Sequence, residues 1–202
     1  MLALVAADSA DEAGRTLDAV QKRYDGVRDL RASFEQTSFS VALGAETVSR
    51  GTVTVERPGK MRWEYAAPDG RVIVLDTDAI KIWNPDEKQL QIAPLSAGNV
   101  SPTALGFLLG QGVLRETFDA ELIAAPERAE RGLRLRPKSD GGFELLELWV
   151  DPKTHELRES VVLDLFGNRT RLRLSELREN SGVAPSEFEF EAPAGAEVVD
   201  LR

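Results

Sequence analysis

The chain of 202 residues contains no cysteine. Disulfides, thiolate metal sites and a cysteine nucleophile are therefore excluded, and so is the cysteine-borne acyl anchor of a bacterial lipoprotein. There is a single histidine, His155, in the turn DPKTHELR at 151–158. A Ser-His-Asp triad would have to draw its base from that turn, a poor place to hold an imidazole in fixed geometry. No Cys/His/Asp grouping has metal-ligand spacing, and no glycine-rich loop follows a strand to open a helix. Carboxylates are plentiful, but they alternate with apolar residues and read as solvated strand faces. The expectation is a protein with no catalytic site, no metal and no cofactor.

Positive charge is also short. Twenty-five Lys and Arg stand against 34 Asp and Glu, a net charge of −9 and a pI near 4.8. Nucleic acid, which calls for a basic face, is excluded as a partner. Unaided docking on anionic lipid heads is disfavoured as well. No apolar run approaches the roughly 20 residues of a spanning helix. At the N-terminus, Leu2, Leu4 and Val5 resemble the end of a signal h-region, and Val5-Ala6-Ala7 fits the small-residue rule at a cleavage site. Residues 1–7 read either as a signal-peptide remnant, favouring an exported protein, or as a frayed end.

What is present is patterning. Leu17, Val20, Tyr24, Val27 and Leu30 recur at spacings of three and four, which predicts a helix over 8–32 that Gly26 kinks or interrupts. From Phe34 the period is two. Turns such as Pro58-Gly59, Asp76-Thr77-Asp78 and Asn84-Pro85-Asp86 separate the alternating runs. Phe188 and Phe190, alternating with Glu187, Glu189 and Glu191, read as a last strand. Short turns between about eleven strands imply an antiparallel sheet. Charged rows such as Arg169, Arg171 and Arg173 predict that one side of it faces water. A sheet of that size must curl or close.

One segment breaks the alternation. SPTALGFLLGQGVL (101–114) opens with a serine cap and a proline at the first helical position, and Gly110 suits a C-terminal stop. Leu105, Phe107 and Leu108 make the helix between them apolar nearly all round, so it must be covered. The fold class expected is mainly β (α+β): a strongly curved antiparallel sheet facing a long N-terminal helix and a short apolar one. Nothing splits it, so residues 8–202 form one domain.

RPGKMRWEY (57–65) is unusual as a strand. It places Met61, Trp63 and Tyr65 on one face and fixes Arg57 beside Pro58. Methionine adapts to irregular partners, and Trp and Tyr bring large area with a polar tip. Two readings stand: an ordinary aromatic core, or the wall of an apolar cavity with the 103–109 helix as a removable plug.

These residues resemble the LolA family of periplasmic lipoprotein carriers. The matching pieces are LRASFEQT (30–37), GTVTVERPGKMRWEYAAPDGRVIVLD (51–76), IWNPDEKQLQ (82–91), LFGNRTRLRLSELREN (165–180) and FEFEAPAGAEVVD (188–200). The match is most specific over 57–89 and loosest over 100–160. The resemblance implies an incomplete antiparallel barrel of about eleven strands, with a lid of helices over a hydrophobic cavity for acyl chains. It implies that acylated lipoproteins come from the inner-membrane transporter LolCDE and go to a LolB-like outer-membrane receptor where one exists, with the carrier a periplasmic monomer. The arginine of the RP pair tethers the lid in that family, which points to Arg57 and Pro58. The cavity set it implies is Val53, Val55, Met61, Trp63, Tyr65, Trp83, Leu105, Phe107 and Leu108. One departure stands out: where the family tends to have Trp-x-Tyr, this chain has Lys81 and Trp83, which predicts a differently shaped wall. A carrier of another lipid or glycolipid, and a non-catalytic sensor or interaction module of LolA-like fold, stay open as alternatives.

Overall fold

The computed structural model describes residues 2–95, 110, 112–139 and 142–202, with side chains from Asp11 onward. A long helix, α1 (Leu2–Asp25), leads into six strands: β1 (Asp29–Ser40), β2 (Ala45–Glu56), β3 (Lys60–Tyr65), β4 (Val72–Leu75), β5 (Ala79–Asn84) and β6 (Gln89–Pro94). A single-turn helix, α2 (Leu114–Thr117), precedes β7 (Phe118–Ile123), β8 (Arg131–Pro137), β9 (Phe143–Val150), β10 (Leu157–Asp164) and β11 (Arg169–Glu179). A 3-10 turn (Pro185–Phe188) and β12 (Glu197–Asp200) complete the described elements. The strands form one twelve-stranded sheet in the order β12-β6-β5-β4-β3-β2-β1-β11-β10-β9-β8-β7, and the end strands β12 and β7 are not paired to each other. The mainly β class expected from the sequence is what the chain adopts. The ladders running from β2 to β6 and from β7 to β11 are antiparallel. β12 pairs with β6 in parallel, the strand that the period-two count missed.

The chain divides into two compact units, and β1, β2 and β11 contribute residues to both. The first comprises Met1–Gly26, Gln36–Val48 and Gly112–Leu174. Ala13, Leu17, Val20 and Tyr24 of α1 are buried along one stripe, the i, i+3, i+4 pattern of a helix lying on a sheet. The Leu157 backbone N–H donates to the Tyr24 hydroxyl (2.9 Å), and the Leu114 N–H donates to Gln21 Oε1 (2.9 Å). Leu133, Leu135, Leu146, Leu148 and Val150 from β8 and β9 have almost no exposed surface.

Opposite Trp149, the side chain of Glu159 is nearly fully buried and accepts from Arg128 (3.1 Å) and Arg173 (2.8 Å), with Arg171 at 3.8 Å. Burial is the largest single influence on this carboxyl and pushes its pKa up. The hydrogen bonds from Arg173 and Arg128 and the charges of Arg128 and Arg171 outweigh it, so the net shift is downward. Arg128 also lies over the Trp149 ring, 3.9 Å from its centroid.

The second unit comprises Val27–Glu35, Ser49–Gln111 and Ser175–Arg202. The helix predicted over 8–32 is interrupted at Gly26, as that glycine suggests: α1 ends at Asp25, and tertiary bonds capture the residues that follow. Asp29 Oδ1 accepts from the backbone N–H groups of Ser181 (2.8 Å) and Gly182 (3.1 Å), and Arg28 N–H donates to Asn180 Oδ1 (2.7 Å). Val27 and Leu30 are thereby drawn off the helical stripe, Leu30 into β1. Phe188 and Phe190 are likewise not on a strand. Pro185 opens a 3-10 turn, and the Ala184 N–H donates to the Glu187 carboxylate (3.2 Å) to close it.

Candidate functional site

The register of the second unit sorts its side chains into two faces. Directly opposed residues of neighbouring strands point the same way. Val55 opposes Met61, which opposes Leu75, which opposes Ile80. Val53 opposes Trp63, which opposes Ile73, which opposes Ile82. Tyr65 opposes Gly51. Val53, Val55, Met61, Trp63 and Tyr65 therefore share one apolar face, as their alternation predicts. Val53, Val55, Trp63, Tyr65, Leu75 and Ile80 are buried, while Met61, Ile73 and Ile82 are half-buried.

An aromatic group anchors this face. Phe34 stacks obliquely on Trp63 with centroids 4.7 Å apart, and meets Tyr65 edge-on at 5.2 Å. Gly51 makes the room for it: a Cβ there would lie 2.8 Å from Phe34 Cε1 and would overlap the Glu64 carbonyl oxygen. Arg71 lies over the Tyr65 ring (4.5 Å) and is held by both oxygens of Asp69 at 2.6 and 2.8 Å. The hydrogen bond from Arg71 keeps the Asp69 carboxyl below its ordinary value and raises the guanidinium in return. The Trp63 indole Nε1 is buried without a hydrogen-bond partner. Phe34, Ile73 and Ile82 belong to this face and were missed from the sequence. Phe34 stands in the quoted LRASFEQT run, but nothing in that run says which strand it will oppose.

Trp83 does not belong to it, which corrects the expectation that groups it with Met61. The β4–β5 register sets Trp83 opposite Val72, and Val72 opposite Glu64. Trp83 is thus on the other face, packed with Val72, Val74, Phe188 and Val183, its ring 6.2 Å from Phe190. Lys81, opposed to Val74, lies there too. The Lys81-Trp83 departure from the family pattern therefore does not touch the Met61–Trp63 face.

The second face was expected to meet water. Instead the chain's own tail covers it. Arg31 pairs with Glu187, and Arg62 Nη1 donates to the carbonyl oxygens of Glu187 (3.4 Å) and Glu189 (3.3 Å). Arg62 also lies over Phe190 at 5.8 Å, and Lys60 over Phe188 at 5.7 Å. The Arg31 hydrogen bond is the main cause of the lowered Glu187 pKa. Beside the tail is a polar cleft of about 570 Å³, lined by Arg31, Arg62, Arg178, Glu176 and Glu187 among others.

Arg57 sits in the turn between β2 and β3, followed by Pro58 through a cis peptide. Its backbone N–H donates to Arg28 O (2.8 Å) and its Nη1 to Val27 O (3.4 Å). Its guanidinium lies against Gly110, where an added Cβ would be 2.9 Å from Nη2. Gly110 has a φ of +78°, the left-handed conformation suited to a helix stop. Leu105, Phe107 and Leu108, the expected lid residues, lie outside the described residues. His155 occupies the predicted turn, its N–H donating to Asp151 O (2.9 Å). Among the described residues no group of three or more His, Cys, Asp or Glu is placed to hold a metal.

The family model described as Outer membrane lipoprotein carrier protein LolA matches residues 25–191. The chain belongs to the LolA family. An outer-membrane lipoprotein carrier protein of Methylobacillus flagellatus is 32% identical over 188 residues, covering 88% of this chain and 90% of that protein. The corresponding protein of Dechloromonas aromatica is 33% identical over 188 residues, covering 90% and 87%. Two solved structures share the fold of this LolA-family chain. An uncharacterized conserved protein from Thermus thermophilus superposes with a TM-score of 0.57 at 19% identity, over 94% of this chain and 99% of that one. MucB gives a TM-score of 0.53 at 15% identity, over 94% of this chain and 66% of that one. No helix among the described residues is long and apolar enough to cross a membrane.

Proposed function

We propose that this chain is a periplasmic carrier that takes the acyl chains of lipoproteins from the inner-membrane LolCDE transporter and delivers them to the outer membrane, to a LolB-like receptor where one exists. The observation that carries the reading is the Met61–Trp63 face. It is a broad apolar sheet surface that includes the half-buried Met61, Ile73 and Ile82, while the other face of the same strands is taken up by the tail. A buried methylene is favoured over a hydrated one by about 0.8 kcal/mol, so two or three acyl chains cannot travel through water without such a wall. Moving a chain from one apolar groove to another is nearly balanced, so small affinity differences set the direction. Arg57 lies against Gly110, the residue that follows the apolar 101–109 segment in sequence, which supports a tethering role for this guanidinium.

The test is loading. Protein purified under native conditions from cells or incubated with lipoprotein-bearing inner-membrane vesicles and the transporter should emerge in a soluble complex with acylated cargo, detected by native mass spectrometry. Repeated recovery of cargo-free protein from vesicles that load an established LolA-family carrier would count against the reading. Depletion in the source bacterium should strand lipoproteins at the inner membrane.

A further inference from the structure

On the Met61–Trp63 face one polar atom is out of place. Trp63 is buried between Val53 and Ile73 of the adjacent strands, and its indole Nε1 has no hydrogen-bond partner. An indole N–H is a donor only, and buried tryptophans usually find it an acceptor. The other buried nitrogens of this kind among the described residues are the Nε atoms of Arg23, Arg134 and Arg171. Each belongs to a guanidinium with several donors and an oxygen close by: Thr154 O for Arg23 (3.2 Å), Glu147 for Arg134 (3.0 Å), Glu159 for Arg171 (3.8 Å). Trp63 has a single donor, and that donor is unmet. Leaving such a group buried and unpaired is costly in a protein interior.

The ring is held firmly. Phe34 packs on it at 4.7 Å, and Tyr65, the next residue on its face, packs on Phe34 at 5.2 Å. A side chain fixed by its neighbours with its only polar atom unsatisfied is what a binding wall needs to fix the position of a ligand with one acceptor. Methylenes offer no acceptor. The carbonyl at the head of an acyl chain does.

We propose that the Trp63 indole N–H is the polar anchor of the wall and takes the carbonyl oxygen of an acyl linkage, ester or amide, so that chains are held by their heads and not by apolar contact alone. This rests on the carrier reading. It gives the protein a means of telling an acyl chain from a plain alkyl chain, and a fixed depth at which the chain's head must stop.

The experiment is a competition titration of the full chain, displacing a fluorescent apolar probe. The competitors are a diacylglycerol with ester-linked chains, its dialkyl-ether analogue of equal length, and a lipid with an amide-linked chain. The wild-type protein should prefer a carbonyl-bearing lipid over the ether by about three- to tenfold, the worth of one hydrogen bond to a buried donor. Trp63→Phe should lose that preference, binding the ester, amide and ether lipids alike whatever its overall affinity. If the phenylalanine loosens the Phe34 stack, benzothienylalanine at position 63 keeps the indole's shape without the N–H and should give the same result. With the indole nitrogens labelled, the Trp63 N–H resonance should move when ester or amide lipid is added and stay still with the ether. Equal affinity of the wild type for all three lipids, or a preference that survives loss of the N–H, overturns the proposal and leaves the carrier reading standing. Failure of the wild type to bind any of the lipids removes both.

Discussion

The guanidinium of Arg57 lies so close to Gly110 that a Cβ added there would sit 2.7 Å from Nε. Gly110 also holds a φ of +78°, which a side chain rarely tolerates. Arg57→Leu and Gly110→Ala should therefore damage the same contact from its two sides. Each is expected to accept cargo and to deliver it poorly, by about tenfold in rate, on the order of one lost polar contact. The double variant should be no worse than the poorer single one, because the two residues share one interaction. Transfer from loaded carrier to acceptor membranes measures this, and additive losses would separate the residues.

Met61→Glu should block loading while leaving the fold intact. Met61 is half-buried on the apolar face, and a carboxylate there would have to be desolvated by incoming chains without a partner. Glu64→Gln, one strand position from Trp63 but on the other face, should load normally. Equal loading by both variants would mean that cargo does not touch this face.

Gly51→Ala should be among the most destabilising single changes in the second unit. The new methyl overlaps the Glu64 carbonyl and presses on the Phe34 ring at 2.8 Å. Overpacking of this kind typically costs about 1–3 kcal/mol, and a backbone obstacle puts it at the upper end. Urea unfolding should show the midpoint drop. A companion Phe34→Leu change should restore part of the loss only if the ring is the main obstacle.

Glu159 sets an acid limit. Its folded pKa is lowered, so the folded state binds the proton more weakly than the unfolded chain does. The stabilisation is therefore present above the ordinary glutamate value of about 4.3 and is lost as pH falls through the lowered value. Glu159→Gln leaves Arg128, Arg171 and Arg173 facing one another without their shared carboxylate, at a cost of about 3 kcal/mol near neutral pH. The gap between wild type and variant, read from denaturation midpoints, should narrow on acidification. A gap independent of pH would assign the loss to packing.

Periodicity reveals some of this structure and hides the rest for definite reasons. The stripe Leu17–Val20–Tyr24 and the face Met61–Trp63–Tyr65 were legible because they lie within single elements, where spacing alone fixes side. Gly26 marked the end of α1, but the strand that begins at Asp29 was not legible, because Asp29 is held by backbone donors at Ser181 and Gly182, 152 and 153 residues away. Trp83 was assigned to the wrong face for a related reason. Its parity within β5 is plain, but which face of β5 continues the face of β3 depends on the register through β4, and one residue of slip inverts it. Phe188 and Phe190 alternate as a strand would, yet the turn is set by Pro185 and the Glu187 side chain. Arg57 came from the RP pair and the family resemblance, since an arginine beside a proline says nothing by itself about what it holds.

The covering of the second face by the tail bears on how the protein assembles. Trp83, Val72 and Val74 can be shielded only when Val183, Phe188 and Phe190 arrive from far downstream in the chain. Contacts that distant in sequence form slowly, since the loop must close before any burial repays it. Until they form, the apolar patch of Trp83, Val72 and Val74 is uncovered and open to association with another chain. Selection for rapid arrival of the segment around Phe188 is then selection against self-association during biogenesis, a demand on the sequence separate from anything the finished molecule binds.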